Sequence, residues 1–248
     1  MRVFGLLGRS LAHSFSQAYF SQKFARLGLT DYRYELFELP EASDLPQLLA
    51  RQPNLAGLNV TIPYKEKIWP YLSRVAPSAE LVGAVNVIEF LPGGELVGHN
   101  TDYLGFRESL HTFYPAGAAP HRALVLGTGG AAKAVAAALH ELAIPYQIVS
   151  RKPGGAQLTY EELTPGVLAD YSLIINTTPL GTYPAVEECP PLPYAALTPR
   201  HYLFDLIYNP RETLFLARGR AAGAHIHNGL EMLELQAEAA WAIWQGPR

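Results

Sequence analysis

An apolar run, Ala123 to Leu126, leads into the turn Gly127-Thr128-Gly129-Gly130, then an Ala-rich stretch to about Ala143 and a second apolar run, Tyr146 to Val149. Short apolar runs flanking a segment of helical composition close as a βαβ unit. If such a unit holds a dinucleotide, it needs a glycine for the bend after the first strand and another where backbone approaches the pyrophosphate. It also needs a small residue where helix meets strand, and Gly127, Gly129 and Ala132 stand at those three places. The helix N-terminus then offers N–H groups and the positive end of its dipole to the anion. An ordinary strand-to-helix turn is the competing reading, and the strand before and helix after it favour the nucleotide. The end of the second strand separates the cofactors, because an acidic residue there accepts the 2′-hydroxyl of NAD whereas arginine accommodates the 2′-phosphate of NADP. The residues found are Ser150-Arg151-Lys152, a neutral hydrogen-bond partner, a planar cation and a second charge, which indicates NADP over a merely solvated basic loop.

Further strand-like runs at Ser172 to Asn176, Tyr202 to Leu206 and near His225 extend this unit into an open, mainly parallel sheet. The first hundred residues alternate too. Val3 to Leu7, Tyr32 to Leu36 and Leu55 to Val60 read as strands, and Phe20, Phe24 and Leu27 recur at helical spacing. Ala84 to Phe90 and Glu95 to His99 flank Pro92-Gly93-Gly94, a hairpin signal that makes this sheet mixed. A helix is predicted from Asp102 to before Pro115, and a linker from Pro115 to Pro120. The last helix, Gly229 to Trp244, has an apolar stripe of Leu230, Leu233, Ala237, Ala240, Trp241 and Trp244. Its sequence leaves open which domain that stripe packs on.

Half the residues are hydrophobic (49% of 248), enough apolar material for two modest cores or one large one. A net charge of −3 gives no general attraction to nucleic acid or anionic lipid, so any anion must be held by a local cluster. The single cysteine, Cys189, cannot close an intramolecular disulfide, and the apolar start is too short for a signal peptide or a membrane span; a cytoplasmic protein is expected. No motif has metal-ligand spacing.

Four polar clusters are poorly explained by packing: Ser14 with Ser16, Asn59 to Glu66, Gly83 to Asn86, and Asn100 to Asp102. Each falls at a strand end or a helix start, where ligands bind in α/β sheets. Hydroxyls, amides, a lysine and a carboxylate together suit a small, hydroxyl-rich anion. With Asp205-Leu206-Ile207-Tyr208-Asn209-Pro210, Gly229-Leu230-Glu231-Met232-Leu233 and Gln236, these motifs resemble the shikimate dehydrogenase family nearly end to end. The resemblance implies an α/β fold of two domains with a cleft between them. A mixed-sheet substrate domain would comprise residues 1–101 and 230–248, and a Rossmann-like NADP-binding domain 102–229. It implies NADPH-dependent reduction of 3-dehydroshikimate to shikimate in aromatic amino-acid biosynthesis. By position, Lys65 and Asp102 match the catalytic pair; Ser14 and Ser16 the carboxylate contacts; Asn59, Thr61, Asn86 and Gln236 the hydroxyl contacts; and Tyr208 a further substrate contact. The cofactor set is Gly127, Thr128, Gly129, Gly130, Ala131, Ser150, Arg151, Lys152, Ile207 and Gly229. Lys65 as an ammonium can supply the proton that ketone reduction requires.

Blander readings stand beside these. Either serine could cap the following helix, Asp102 could cap its own, and Lys65 could be a solvated helix residue. Asn59 and Asn86 could be buried loop amides, Thr61 a strand former, and Gln236 a polar helix edge. His13 reads as structural, His225 and His227 alternate like exposed strand residues, and Asp205 reads as the organiser of the loop before Pro210. The expected partners are the small-molecule substrate alone, without nucleic acid or membrane, in a monomer or homodimer. The segment after Lys152 is shorter than the full helix common in the family, which bears on how the adenine is covered. The rivals are a quinate/shikimate dehydrogenase and a non-catalytic ligand-binding paralogue.

Overall fold

The computed structural model describes residues 1–11, 14–117, 121–152, 154 and 157–246. His13, the Ala118 to Pro120 part of the linker, and Pro153, Gly155 and Ala156 of the shortened segment lie outside them. The chain divides into two compact units, Met1–Thr101 with Ala237–Arg248, and Asp102–Gln236.

The first unit contains β1 (Arg2–Gly8), α1 (Phe15–Arg26), β2 (Tyr32–Glu38), α2 (Leu45–Arg51), β3 (Leu55–Val60), β4 (Arg74–Val75), α3 (Pro77–Val82), β5 (Val87–Phe90) and β6 (Leu96–His99). Its sheet runs β2-β1-β3-β5-β6-β4 and is mixed: β1 pairs in parallel with β2 and β3, and the β5–β6 hairpin is antiparallel. β1 is buried from Val3 to Gly8, as a central strand covered on both faces must be. One face packs Leu7, Leu45, Leu58, Tyr64 and Ile68, and the other packs Phe4, Phe20, Phe24 and Tyr34. Trp244 joins the second layer and donates its indole N–H to the Ile88 carbonyl at 3.2 Å. A side chain on Gly57 would lie 2.4 Å from the Trp244 Nε1, so only glycine lets the indole this close. Leu27, expected on the buried face of α1, instead follows its last residue and is half exposed.

The second unit begins with α4 (Asp102–Phe113), then β7 (Ala123–Leu126), α5 (Gly130–Glu141), β8 (Tyr146–Ser150), β9 (Leu158–Thr159), α6 (Pro165–Leu168), β10 (Leu173–Asn176), β11 (Tyr202–Asp205), α7 (Leu214–Ala221) and β12 (His225–His227). α8 (Leu230–Gln245) contributes to it through Gln236 and to the first unit from Ala237. Every pairing in the order β12-β11-β10-β7-β8-β9 is parallel. Read within this unit the order is 6-5-4-1-2-3, the doubly wound arrangement of dinucleotide-binding sheets. Its strand order reverses at β7, between β8 and β10, and the nucleotide turn leaves from the carboxyl end of β7. The next described element after β8 is β9, from Leu158. No described helix is long and apolar enough to cross a membrane.

Candidate active site

In the first unit the polar residues gather at the carboxyl ends of β1 and β3 and at the start of α1. Ser14 occupies the N-cap position of α1 with extended backbone, yet its side chain makes no capping bond. Its Oγ is buried and finds no hydrogen-bond partner among the described residues. A buried hydroxyl without a partner costs about 1–3 kcal/mol, which a polar ligand at this position would offset. Ser16, two residues on, lies near enough to the Tyr34 phenol of β2 to influence its ionisation. Tyr34 donates to Asn59 Oδ1 at 2.7 Å, and Asn59 Nδ2 reaches the Asn86 carbonyl at 3.4 Å. Asn86 in turn accepts the Thr101 N–H at 2.7 Å and donates to Thr101 Oγ1 at 3.0 Å. Asn59, Asn86 and Thr101 are all buried, and this single connected network satisfies them. Burial pushes the Tyr34 phenol well above its ordinary value, against a smaller opposing effect of Ser16, so it works as a neutral hydroxyl.

Thr61 follows β3 directly and donates its N–H to the Leu7 carbonyl at 2.9 Å, while its methyl lies where a side chain on Gly8 would collide. Lys65 stands in a turn, not on a helix, and is partly buried. Its carbonyl accepts the Val85 N–H at 2.7 Å, tying the turn to the segment that ends in Asn86. Asp102 opens α4 one residue after Thr101, inside the helix rather than at the cap position, with its carboxylate at the positive end of the helix dipole.

In the second unit Gly127 has φ +114°, and a side chain there would meet Thr177 Oγ1 at 2.7 Å. Both observations require glycine. Gly129 caps α5, and side chains added at Gly129 or Gly130 would meet nothing within 4 Å: the space in front of the helix start is open. Thr128 is exposed, Ala131 partly buried, and Ala132, 2% exposed, lets the helix close on the sheet. At the end of β8, Ser150 Oγ accepts the Lys152 N–H at 3.3 Å, folding the loop so that Arg151 and Lys152 are both exposed. Among the described residues no salt bridge holds Arg151. Open backbone N–H groups with a nearby guanidinium fit a dinucleotide carrying an extra phosphate.

The loop after β11 is organised by Asp205, which is completely buried and accepts from Thr213 Oγ1 at 2.5 Å, Ile207 N–H at 3.1 Å and Asn176 Nδ2 at 3.1 Å. Desolvation pushes its carboxyl up to about 6 despite these bonds. Tyr208, on the same loop, is half-buried, and burial raises its phenol. Gly229 donates to the Ile207 carbonyl at 3.1 Å, and a side chain there would lie 2.1 Å from the Leu206 oxygen. The close approach its glycine permits is thus to the β11 loop. Gln236, 8% exposed, donates to the Leu233 carbonyl at 2.9 Å and packs where Gly105 of α4 leaves room. His225 is exposed as its alternation suggests, but His227 is not: it stacks on Phe113 and meets Ser109 Oγ at 3.0 Å. No described group of three or more His, Cys, Asp or Glu residues could hold a metal ion.

A model of the shikimate dehydrogenase substrate binding domain matches residues 6–88. Across 269 aligned residues, 99% of this chain and 90% of the other, the sequence is 35% identical to the shikimate dehydrogenase (NADP(+)) of Desulforamulus reducens. The chain belongs to the shikimate dehydrogenase family. Shikimate 5-dehydrogenase from Thermus thermophilus, solved in complex with NADP(H) and shikimate, superimposes with a TM-score of 0.85 at 33% identity, covering 100% of this chain and 94% of its own. Quinate dehydrogenase from Corynebacterium glutamicum, in complex with NAD, gives 0.86 at 28% identity over 99% and 94%.

Within that family frame, two residues of the site escape a motif-based reading. Tyr34 looks like any inward-facing strand aromatic, although a buried tyrosine hydroxyl always raises the question of its partner. Thr213 looks like a helix-start residue and is one, accepting the Leu216 N–H at 3.4 Å while it donates to Asp205.

Proposed function

We propose that this chain is an NADP-dependent shikimate dehydrogenase that reduces the ketone of 3-dehydroshikimate to the alcohol of shikimate, reversibly. The observation that supports the substrate side most directly is the buried Ser14 hydroxyl, without a partner among the described residues, in the same unit as the Tyr34-Asn59-Asn86-Thr101 network. The Ser14 hydroxyl, with Ser16, binds the substrate carboxylate. Asn59, Thr61 and Asn86 hold ring hydroxyls, and Tyr208 and Gln236 complete the contacts.

The α5 N-terminus with Gly127, Thr128, Gly129, Gly130 and Ala131 holds the pyrophosphate, Ser150, Arg151 and Lys152 hold the 2′-phosphate, and Ile207 and Gly229 shape the loop near the nicotinamide. When bound, NADPH supplies the hydride for the carbonyl carbon. Lys65 gives a proton to the carbonyl oxygen in the direction of reduction and takes it back in oxidation. Asp102 accepts a hydrogen bond from a substrate hydroxyl and holds the ring in register with Lys65. Arg151 and Lys152 favour NADP over NAD, and with them shikimate over the NAD-linked quinate reading. The test is NADPH oxidation by purified protein with 3-dehydroshikimate. Absence of turnover with well-folded protein points to a ligand-binding paralogue.

A further inference from the structure

We propose that Tyr34 is a positioning residue of the substrate site: by donating its phenol O–H to Asn59 Oδ1 at 2.7 Å, it makes the Asn59 amide meet the substrate as a hydrogen-bond donor. This rests on the reading of Asn59 as a substrate contact.

An asparagine amide has two ends of nearly equal size, so its orientation is set by its partners. Here one end faces a hydroxyl and the other a carbonyl. The Asn86 carbonyl can only accept, which selects Nδ2 for that side at 3.4 Å and leaves Oδ1 for Tyr34. A reversed amide would set Asn59 Oδ1 against the Asn86 carbonyl oxygen.

The phenol itself cannot turn away. Tyr34 is 4% exposed, and its ring stacks on Phe20 with centroids 4.6 Å apart and planes 9° from parallel. Burial keeps the hydroxyl neutral, so it remains a donor at every working pH. Tyr34 takes no proton from the substrate and acts on it only through Asn59. It therefore governs substrate binding, not the chemical step.

The experiment compares Tyr34→Phe, Asn59→Ala, Asn59→Asp and the Tyr34→Phe/Asn59→Ala double variant in NADPH-linked reduction of 3-dehydroshikimate. Tyr34→Phe keeps the stacked ring, and NADPH affinity measured on the same samples certifies the fold. The expected result is a KM for 3-dehydroshikimate raised about tenfold by Tyr34→Phe, with kcat and the NADPH KM within about twofold of the parent. In the Asn59→Ala background the tyrosine change adds little, because the group it orients is gone. Asn59→Asp, which still accepts from Tyr34 but has no N–H to offer, raises KM as much as alanine does. Parental KM in Tyr34→Phe, with Asn59→Ala impaired, overturns the positioning role alone. Equal effects of Tyr34→Phe with and without Asn59, or a parental KM in Asn59→Asp, overturn it as well. Unchanged KM in Asn59→Ala overturns the substrate reading of Asn59 and this inference with it.

Discussion

Replacing Asp205 by asparagine isolates one buried charge and makes its contribution measurable. The carboxyl is raised from 3.8 to about 6, chiefly by desolvation. A raised folded-state value means that the folded protein binds this proton more tightly than the unfolded chain. The associated stability is therefore full below about pH 4 and is lost as pH rises through about 6. A shift of about two units corresponds to ~2–3 kcal/mol between pH 4 and pH 7. Asparagine has the same shape: its oxygen can take the Ile207 and Asn176 donors, and its nitrogen can face Thr213. The variant should thus gain on the parent by ~2–3 kcal/mol over that interval, whatever their difference at pH 4. All three tryptophans, Trp69, Trp241 and Trp244, lie in the first unit, so urea unfolding should be followed by far-ultraviolet circular dichroism. Parallel stability-against-pH curves for the two proteins would mean that Asp205 titrates alike in both states, contrary to this expectation.

Lys65→Ala should lower kcat by roughly two orders of magnitude or more while leaving NADPH affinity nearly intact, read by steady-state kinetics and fluorescence titration. Near-normal turnover would remove Lys65 from the proton-transfer role. Arg151→Ala should raise the KM for NADPH about tenfold and leave that for NADH unchanged; an unaltered cofactor preference would take the 2′-phosphate away from Arg151.

Much of the fold is legible in the sequence because its elements are locally over-determined. β7, the glycine turn and α5 carry apolar run, punctuation and Ala-rich composition together, and the β5–β6 hairpin has its own glycines. β4 has two residues and α3 six, too short for any period to register, and their place is set by pairing with β6 and packing beneath it. The candidate site divides in the same way. Residue types near strand ends can be read directly, whereas hydrogen-bond connectivity cannot. Whether Ser14 caps its helix depends on a rotamer, and the structure leaves that hydroxyl unbonded. Gly229 is a sharper case: the resemblance puts it in the cofactor set, and the structure adds that the atom forbidding a side chain there is the Leu206 oxygen. His227 alternates like an exposed strand residue yet is covered by Phe113 of α4, a contact between elements more than a hundred residues apart.

The proposed ketone reduction uses NADPH and a substrate shaped like shikimate. It is tested most directly by adding 3-dehydroshikimate and 3-dehydroquinate separately to the purified protein with NADPH, then with NADH, and following oxidation of the nicotinamide. The expected result is fast turnover of 3-dehydroshikimate with NADPH, with kcat/KM at least roughly tenfold lower when either the substrate or the cofactor is exchanged. No turnover of 3-dehydroshikimate by folded protein, or a preference for 3-dehydroquinate with NADH, would contradict it.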